Sequence, residues 1–532
     1  MKPLNKLVSC LNRGEISRRD FMQKAAAMGL AAAVPAALIS TQTQAATPRR
    51  GGHLRVATVQ GSSTDQLDPN QLSSGHTNFL WSSIHGQLTE VRPDGQLEPL
   101  VAESYETGAD ASEWIFKLRK GIEFHNGKSL TADDVIASLD RHRGEASASA
   151  MKSLMEEIES FSKDGDHVVR MKLKSASVDF PVILSASSLS ILPSTNGKIE
   201  EKDMGIGCGS YMLEEFEPGQ YSKMKRNPNY FMSDRAFVDS AEILTIADST
   251  ARQNALVTGV VDIIGDVDAS TADLLGRNKR LEILDVVSTQ HYTFPMRTDL
   301  APFDNNDVRM ALKLSIDRDE VLDKVLNGYG LVGNDHPISP ANRYYNSELE
   351  QRAYDPEKAK WHLKKAGMSN LKVELSASDG LYAGAVDTAV LFSEHAKKSG
   401  IELVPKRVPD DGYWSDVWLK HPWCASYWSG RPTEDWMFTQ GYSATSNWNE
   451  SYWKNERFNE LLVSARAETN DETRRQMYYE MQAICRDDCG SVIHAFANHI
   501  SASNKTVGVP QQVAGNWEFD GYKLIERWWI SG

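Results

Sequence analysis

Between Trp423 and Trp453 the chain reads WCASYWSGRPTEDWMFTQGYSATSNWNESYW, which holds five of the protein's 13 tryptophans (Trp423, Trp428, Trp436, Trp448 and Trp453). Trp414 and Trp418 lie just upstream, and Tyr427, Tyr442 and Tyr452 are interleaved. The apolar run from Cys424 to Trp428 has strand character and stops at Ser429-Gly430-Arg431-Pro432, which reads as a turn. Arg431, Glu434 and Asp435 then place both charge signs beside large aromatic faces. That combination suits a mostly apolar pocket in which a few placed polar groups orient a small polar ligand. The Arg431 guanidinium can take a carboxylate or phosphate through two parallel hydrogen bonds. It can equally close an internal salt bridge to Glu434 or Asp435. Trp428 offers a stacking face, Tyr413 and Trp414 are candidates to wall the pocket, and Trp448 and Asn449 sit in the following loop.

Other chemistry finds no support. Gly328 to Gly333 matches a GxGxxG string but follows a helical pattern instead of a strand, so it is no nucleotide loop. The 13 His form no HExxH, and His494 and His499, five apart, are poorly spaced for shared metal ligation. No G-x-S-x-G elbow occurs, and Asp410-Asp411 and Asp487-Asp488 read as solvated turns. No catalytic constellation and no cofactor are expected. Past the leader described below, the cysteines are Cys208, Cys424, Cys485 and Cys489, which allow three pairings. Cys485 and Cys489 are nearest, although a helical i,i+4 spacing strains a disulfide.

At 532 residues the chain exceeds one ordinary core and calls for two or three domains. Its 41% hydrophobic and 24% charged composition is that of a soluble globular protein, and a net charge of −14 argues against nucleic acid. Residues 1–46 stand apart. Ser17-Arg18-Arg19-Asp20-Phe21-Met22 precedes an apolar run from Ala25 to Ile39, and Thr43 to Ala46 supplies small residues for cleavage. The run is short for a bilayer span, and no Cys follows it for lipid attachment. The segment resembles a bacterial twin-arginine signal peptide. Its loss leaves an acidic chain, near −18, expected to be soluble in the periplasm.

The elements that position the aromatic stretch alternate strand and helix. GGHLRVATVQ at 51–60 opens as a strand, and His76 to Leu88 reads as a helix. Thr131 caps a helix to His142 with Asp133 and Asp134 in its first turn. A glycine-rich turn at Gly205 enters a hairpin, and Ser240 to Ile264 reads strand, helix, strand. Leu281 to Val287 and Tyr292 to Arg297 are strands, and a long amphipathic helix spans Asp307 to Asn327. Strands at Val373 to Ser376 and Ile401 to Val404 flank a helix at Ala383 to Ser399. Two helices, a strand at Val492 to Phe496 and a strand-like end at Trp517 to Ile530 complete an α/β pattern.

A dozen segments in order carry a family resemblance. They include Leu67-Asp68-Pro69, Leu97 to Tyr105, Trp114 to Arg119, and Phe124-His125-Asn126-Gly127-Lys128 running on to Val135. Gly205 to Tyr211, Arg226 to Tyr230, Val308 to Leu312, Ile316-Asp317-Arg318 and Tyr354 to Lys360 continue the series. The chain resembles the extracytoplasmic solute-binding proteins of ABC importers, peptide/nickel type (family 5). The resemblance implies an α/β, type II periplasmic-binding-protein fold with two lobes around a cleft and an extra domain inserted in lobe I. The expected division is 47–87, 205–290 and 500–532 for lobe I, 88–204 for the insert and 291–499 for lobe II. Crossover segments are expected near Gly205 and at Thr289 to Tyr292. The implied function is capture of a small polar solute, a peptide or amino-acid derivative carrying both charges, for delivery to a membrane permease. A haem or metal-chelate carrier of the same family is the alternative, and an enzyme is a further rival class. A monomer is expected. In the family, a Trp-x-x-Asp-x-x-Asp loop binds the peptide amino group through its second acid. Here the first acid is replaced by Arg431 and the second falls on Glu434 or Asp435. An upstream arginine found in some members is missing, and Asp379 and Tyr382 stand at that place as candidates.

Overall fold

The computed structural model describes residues 48–531 apart from 72–73, 109–110, 146, 148, 150, 379–380 and 410–412. The signal segment, Asp379 and the Asp410-Asp411 pair lie outside the described residues.

Two lobes grow from two sheets. The first has seven strands in the order Leu281–Val286, His499–Asn504, Ile263–Ile264, His53–Thr58, Ser240–Thr245, Tyr221–Arg226 and Tyr211–Glu217. His53–Thr58 runs parallel to both neighbours, as strand–helix–strand crossovers require, and the remaining pairs are antiparallel. The second lobe has four antiparallel strands in the order Gly330–Val332, Ser491–Ala497, His291–Pro295 and Ser426–Trp428. A parallel pair, Leu371–Ala377 with Ile401–Arg407, joins it through a bridge between Ser376 and Cys424. All seven residues of Ser491–Ala497 are buried, which explains a run too apolar to alternate.

The inserted α+β unit is a four-stranded antiparallel sheet built from Ala102–Thr107, Glu113–Leu118, Val168–Leu173 and Ile158–Lys163. Its helix Ala132–Asp140 begins at Thr131 with a capping box to Asp134. A buried charge cluster ties the insert to lobe I: Glu90 meets Arg235 at 2.7 Å and Arg527 at 2.7 Å.

The chain passes between the lobes at Val286–His291 and again at Ala497–His499. The crossings are tied together, Ser288 Oγ donating to the Ala497 carbonyl at 2.7 Å and Asn498 Nδ2 to Asp285 at 2.5 Å. The expected crossover near Gly205 is corrected. That turn lies inside lobe I, where a Cβ on Gly207 would sit 2.0 Å from the Ile84 carbonyl oxygen, so the glycines permit close packing against the helix end. The long helix expected over Asp307 to Asn327 is two, Asn306–Leu314 and Arg318–Lys324. Asp317 between them caps the second by accepting from the Glu320 amide. The strand expected at Trp517 to Ile530 is two short helical turns with only Trp529–Ile530 extended, because Phe519, Asp520 and Tyr522 have positive φ.

The lobes also touch away from the crossings. Arg474 of lobe II donates to Asp179 of the insert at 2.5 Å, with side-chain exposures of only 2% and 12%. Val178 donates its amide to the Arg466 carbonyl at 2.9 Å, and Tyr329 donates to Asp273 at 2.8 Å.

Candidate functional site

The edge strand Ser426–Trp428 of lobe II and its turn carry the aromatic stretch to the face opposite lobe I. Strand alternation sends Tyr427 and Trp428 to opposite faces. Tyr427 pairs across the sheet with Tyr292, which stacks on Tyr382 at 3.7 Å with 7° between ring planes. Trp428 is buried, and its ring meets Trp448 at 5.9 Å; Trp448 meets Trp418 at 5.8 Å, Trp418 meets Trp414 at 5.5 Å, and Trp414 meets Tyr427 at 5.8 Å. Five rings therefore wrap the free edge of the strand, with Trp414 and Trp448 each 47% exposed. Such a cover blunts an edge otherwise open to strand pairing.

Arg431 follows in the turn. Its guanidinium lies over the Trp428 ring at 5.5 Å and the Trp436 ring at 5.9 Å. It donates to Gln440 Oε1 at 2.7 Å and to carbonyls of its own turn at Ser429 and Gly430. Among the described residues no carboxylate lies within ion-pair distance of it, so the internal salt bridge to Glu434 or Asp435 does not form. Burial pushes its pKa down to about 10, opposed by the Tyr522 phenol of lobe I.

Glu434 and Asp435 open the helix Glu434–Gly441, which Thr433 caps. Both are engaged inside lobe II. Glu434 accepts from the Tyr344 amide at 2.6 Å, and burial lifts its carboxyl to about 7. Asp435 pairs with Arg466 at 3.2 Å and accepts from Thr439; burial raises it too, with Arg466 pulling the other way. Tyr413 is buried and donates to the Ala425 carbonyl at 2.7 Å, anchoring the segment in place of meeting solvent. Asn449 holds its loop by donating to the Ser443 and Trp453 carbonyls.

Lobe I supplies groups that sequence reasoning missed. Asp266 follows the strand Ile263–Ile264, and Glu518 and Tyr522 lie in the helical turns near the C-terminus. Asp266 is open to solvent, yet protein encloses it closely enough for burial to hold its carboxyl above the usual range, opposed by Arg252. Glu518 is held well above it, by burial first and by Asp266 second. Neither carboxyl has an ion-pair or hydrogen-bond partner among the described residues. The Tyr522 phenol is raised by burial and by both acids, and lowered by Arg431; Tyr427 and Tyr292 are raised by burial, with Asp266 adding to each. These residues of the two lobes thus sense one another across the cleft. A small cavity, about 20 Å³, opens beside Asp266, His499, Trp517 and Glu518. A larger groove of about 420 Å³ between Glu456–Ala467 and Asp471–Asp488 is open surface whose Arg457 and Glu480 already pair at 2.8 Å. The signal for Asp266 was its place just past a strand end, where α/β sheets bind ligands; Glu518 had only its neighbour Trp517.

The Cys485–Cys489 bridge is also corrected. All four described cysteines are free and buried. The helix Asp471–Asp488 runs on until Cys489 caps it through its amide to the Cys485 carbonyl, an i,i+4 geometry unsuited to a disulfide. No group of three metal-ligating side chains converges among the described residues, and none of their helices is long and apolar enough to cross a membrane.

Comparison with known proteins places this geometry. Residues 96–450 match the family described as bacterial extracellular solute-binding proteins, family 5 Middle. Heme-binding protein A of Haemophilus influenzae is 26% identical over 449 residues, covering 76% of this chain and 80% of that protein. Glutathione-binding protein GsiB of Escherichia coli K12 is 27% identical over 318 residues, 59% of this chain and 62% of its own length. Periplasmic binding protein DppA of Helicobacter pylori, solved with the peptide STSA, superposes with a TM-score of 0.75 at 21% identity, covering 91% of this chain and 99% of that one. The matched segment takes in more than half of the chain, and the chain belongs to the bacterial extracellular solute-binding proteins of family 5.

Proposed function

We propose that this protein closes its lobes on a small amino-acid-derived solute carrying one cation and one anion, and hands it to a membrane permease. The observation that carries the reading is the opposition of charges in the cleft. Asp266 and Glu518 of lobe I line one small cavity with Trp517, whose ring meets Trp436 at 6.4 Å, and Trp436 carries the Arg431 guanidinium of lobe II at 5.9 Å; none of the three charged residues has an ion-pair partner among the described residues. Closing the lobes would withdraw these groups from water, and a charge so withdrawn without an opposite charge is costly, so the wall's signs should mirror the solute's. Arg431 takes the anion. The cation falls to Asp266 and Glu518, with Tyr292, Tyr427 and Trp428 along the apolar part. A relative named for binding glutathione and a neighbour solved with a peptide support this class.

Mass spectrometry of solute released from protein purified out of its native host tests the reading. A molecule with both an ammonium or guanidinium and a carboxylate or phosphate is expected; a neutral sugar overturns it. A Soret band in the purified protein would favour the haem reading, motivated by the relative named for haem.

The division into 47–87, 205–290 and 500–532 for lobe I, 88–204 for the insert and 291–499 for lobe II is supported by the strand membership of the three sheets. Export through the twin-arginine route is supported by Arg18-Arg19 and the apolar run behind them. Arg18→Lys with Arg19→Lys should leave precursor in the cytoplasm, and undiminished periplasmic protein would sink that route.

A further inference from the structure

Glu450 is a buried carboxylate, 5% exposed, with no cation within ion-pair distance among the described residues. Three neutral donors converge on it. Trp418 Nε1 donates to Oε2 at 2.6 Å, Ser426 Oγ to the same oxygen at 2.8 Å, and Trp428 Nε1 to Oε1 at 3.0 Å. An ionised carboxylate accepts only, and its hydrogen bonds from neutral donors are stronger than neutral pairs. Two indoles separated by a turn and the edge strand are thereby locked to one group. One of them, Trp428, carries the Arg431 guanidinium on its face at 5.5 Å. The other, Trp418, joins Trp414 to Trp448 in the ring of side chains round the edge strand.

We propose that Glu450 is a positioning residue of the cleft: it fixes the Trp428 ring beneath Arg431, so the orientation of the anion-reading guanidinium depends on a carboxylate that never touches solute. The proposal rests on the reading of Arg431 as the anion-binding group, but the coupling from Glu450 through Trp428 to Arg431 can be measured without any solute. A role limited to sealing the strand edge makes a different prediction, because it needs the rings covered and not Arg431 oriented.

Glutamine separates the two. Its amide has one accepting oxygen and one donating nitrogen. With the oxygen toward Trp418 and Ser426, the amide N–H faces the Trp428 N–H. Turned over, it faces the Trp418 N–H. Either way one indole, which can only donate, meets another donor and must move. Glu450→Gln is therefore read at two places by mass spectrometry of the full mature protein. Hydroxyl-radical footprinting reports each tryptophan, and phenylglyoxal, an arginine-directed dicarbonyl, reports Arg431. Expected are a rise of at least about threefold in oxidation of Trp428 or Trp418 and a change of at least about threefold in Arg431 modification, as local release of a held side chain produces. Trp361, exposed on lobe II away from the cleft, should be unchanged. Trp428→Phe in the Gln background removes one clash; it should recover thermal stability but leave Arg431 reactivity altered. Arg431 reacting at the wild-type rate in Glu450→Gln overturns the proposal and leaves Glu450 an edge seal. If Glu450→Gln does not fold, Glu450→Asp, a shorter carboxylate that keeps the acceptors but must shift at least one indole to reach both, is read by the same Arg431 readout with the same two outcomes. Calorimetry of Arg431→Ala with the solute released from the native-host protein tests the underlying reading separately: unchanged affinity there defeats the anion assignment, whatever the footprint shows.

Discussion

The two walls of the cleft are built by opposite means. On lobe II nearly every polar group near the edge strand is engaged within the lobe: Arg431 with Gln440, Glu434 with the Tyr344 amide, Asp435 with Arg466, and Glu450 with two indoles. On lobe I the carboxyls of Asp266 and Glu518 have no such partners among the described residues. One wall holds its geometry without solute. The other holds carboxyls that burial biases toward their neutral forms and that a bound cation would ionise. A binding protein needs both, since a stiff wall orients the solute and an uncompensated one draws it in.

The largest test of that contrast replaces both lobe I acids, Asp266→Asn with Glu518→Gln. Affinity for the native solute should fall by about 2–5 kcal/mol, roughly 30-fold or more. Stability without solute should move the other way. A carboxyl whose folded pKa is raised binds more protons folded than unfolded, so its contribution is complete below the unfolded value near 4 and is lost as pH rises through the folded one. Melting temperature of the wild type should therefore decline with rising pH over that window, and the double variant should flatten the decline. A variant that binds normally would erase the difference between the walls.

The lobe II acids should behave in the reverse sense. Asp435→Ala leaves Arg466 without its carboxylate in a mostly buried site and should cost about 3 kcal/mol in denaturant unfolding. Affinity for the solute should change little. Glu434→Gln is smaller. Its carboxyl sits at about 7 when folded against 4.5 as its ordinary value, so it destabilises progressively as pH rises between those values, by about 3 kcal/mol in all. The amide can still accept from Tyr344, so the variant should gain stability at pH 8 and match wild type near pH 4. A large affinity loss in either variant would move the cation back to the helix Glu434–Gly441.

What the chain disclosed beforehand follows the same line. The strand–helix rhythm was legible because burial on one face imposes a period, as in Asn306–Leu314 with Val308, Ala311 and Leu312 buried, whereas the two lobes and the insert were implied by the family resemblance. Asp317 broke an apparent single helix because a cap acts at one residue and barely disturbs the period. The aromatic stretch was conspicuous because its members are neighbours in sequence. Asp266, Glu518 and Glu450 were not, since each is a lone acid whose role depends on what folding brings beside it. Conspicuous charge near an aromatic run, as at Glu434 and Asp435, turned out to be partnered inside its own lobe.

The buried Arg474–Asp179 pair reaches from lobe II to the insert and is separate from the groups assigned to the solute. Any opening that parts lobe II from the insert must break it. It therefore weights the equilibrium between open and closed forms before a solute arrives, and the apparent dissociation constant is the intrinsic one divided by the fraction of molecules already competent to bind. Substitutions at this contact, which touches none of the groups assigned to the cargo, can retune how tightly the protein holds it and how readily it yields it at the membrane.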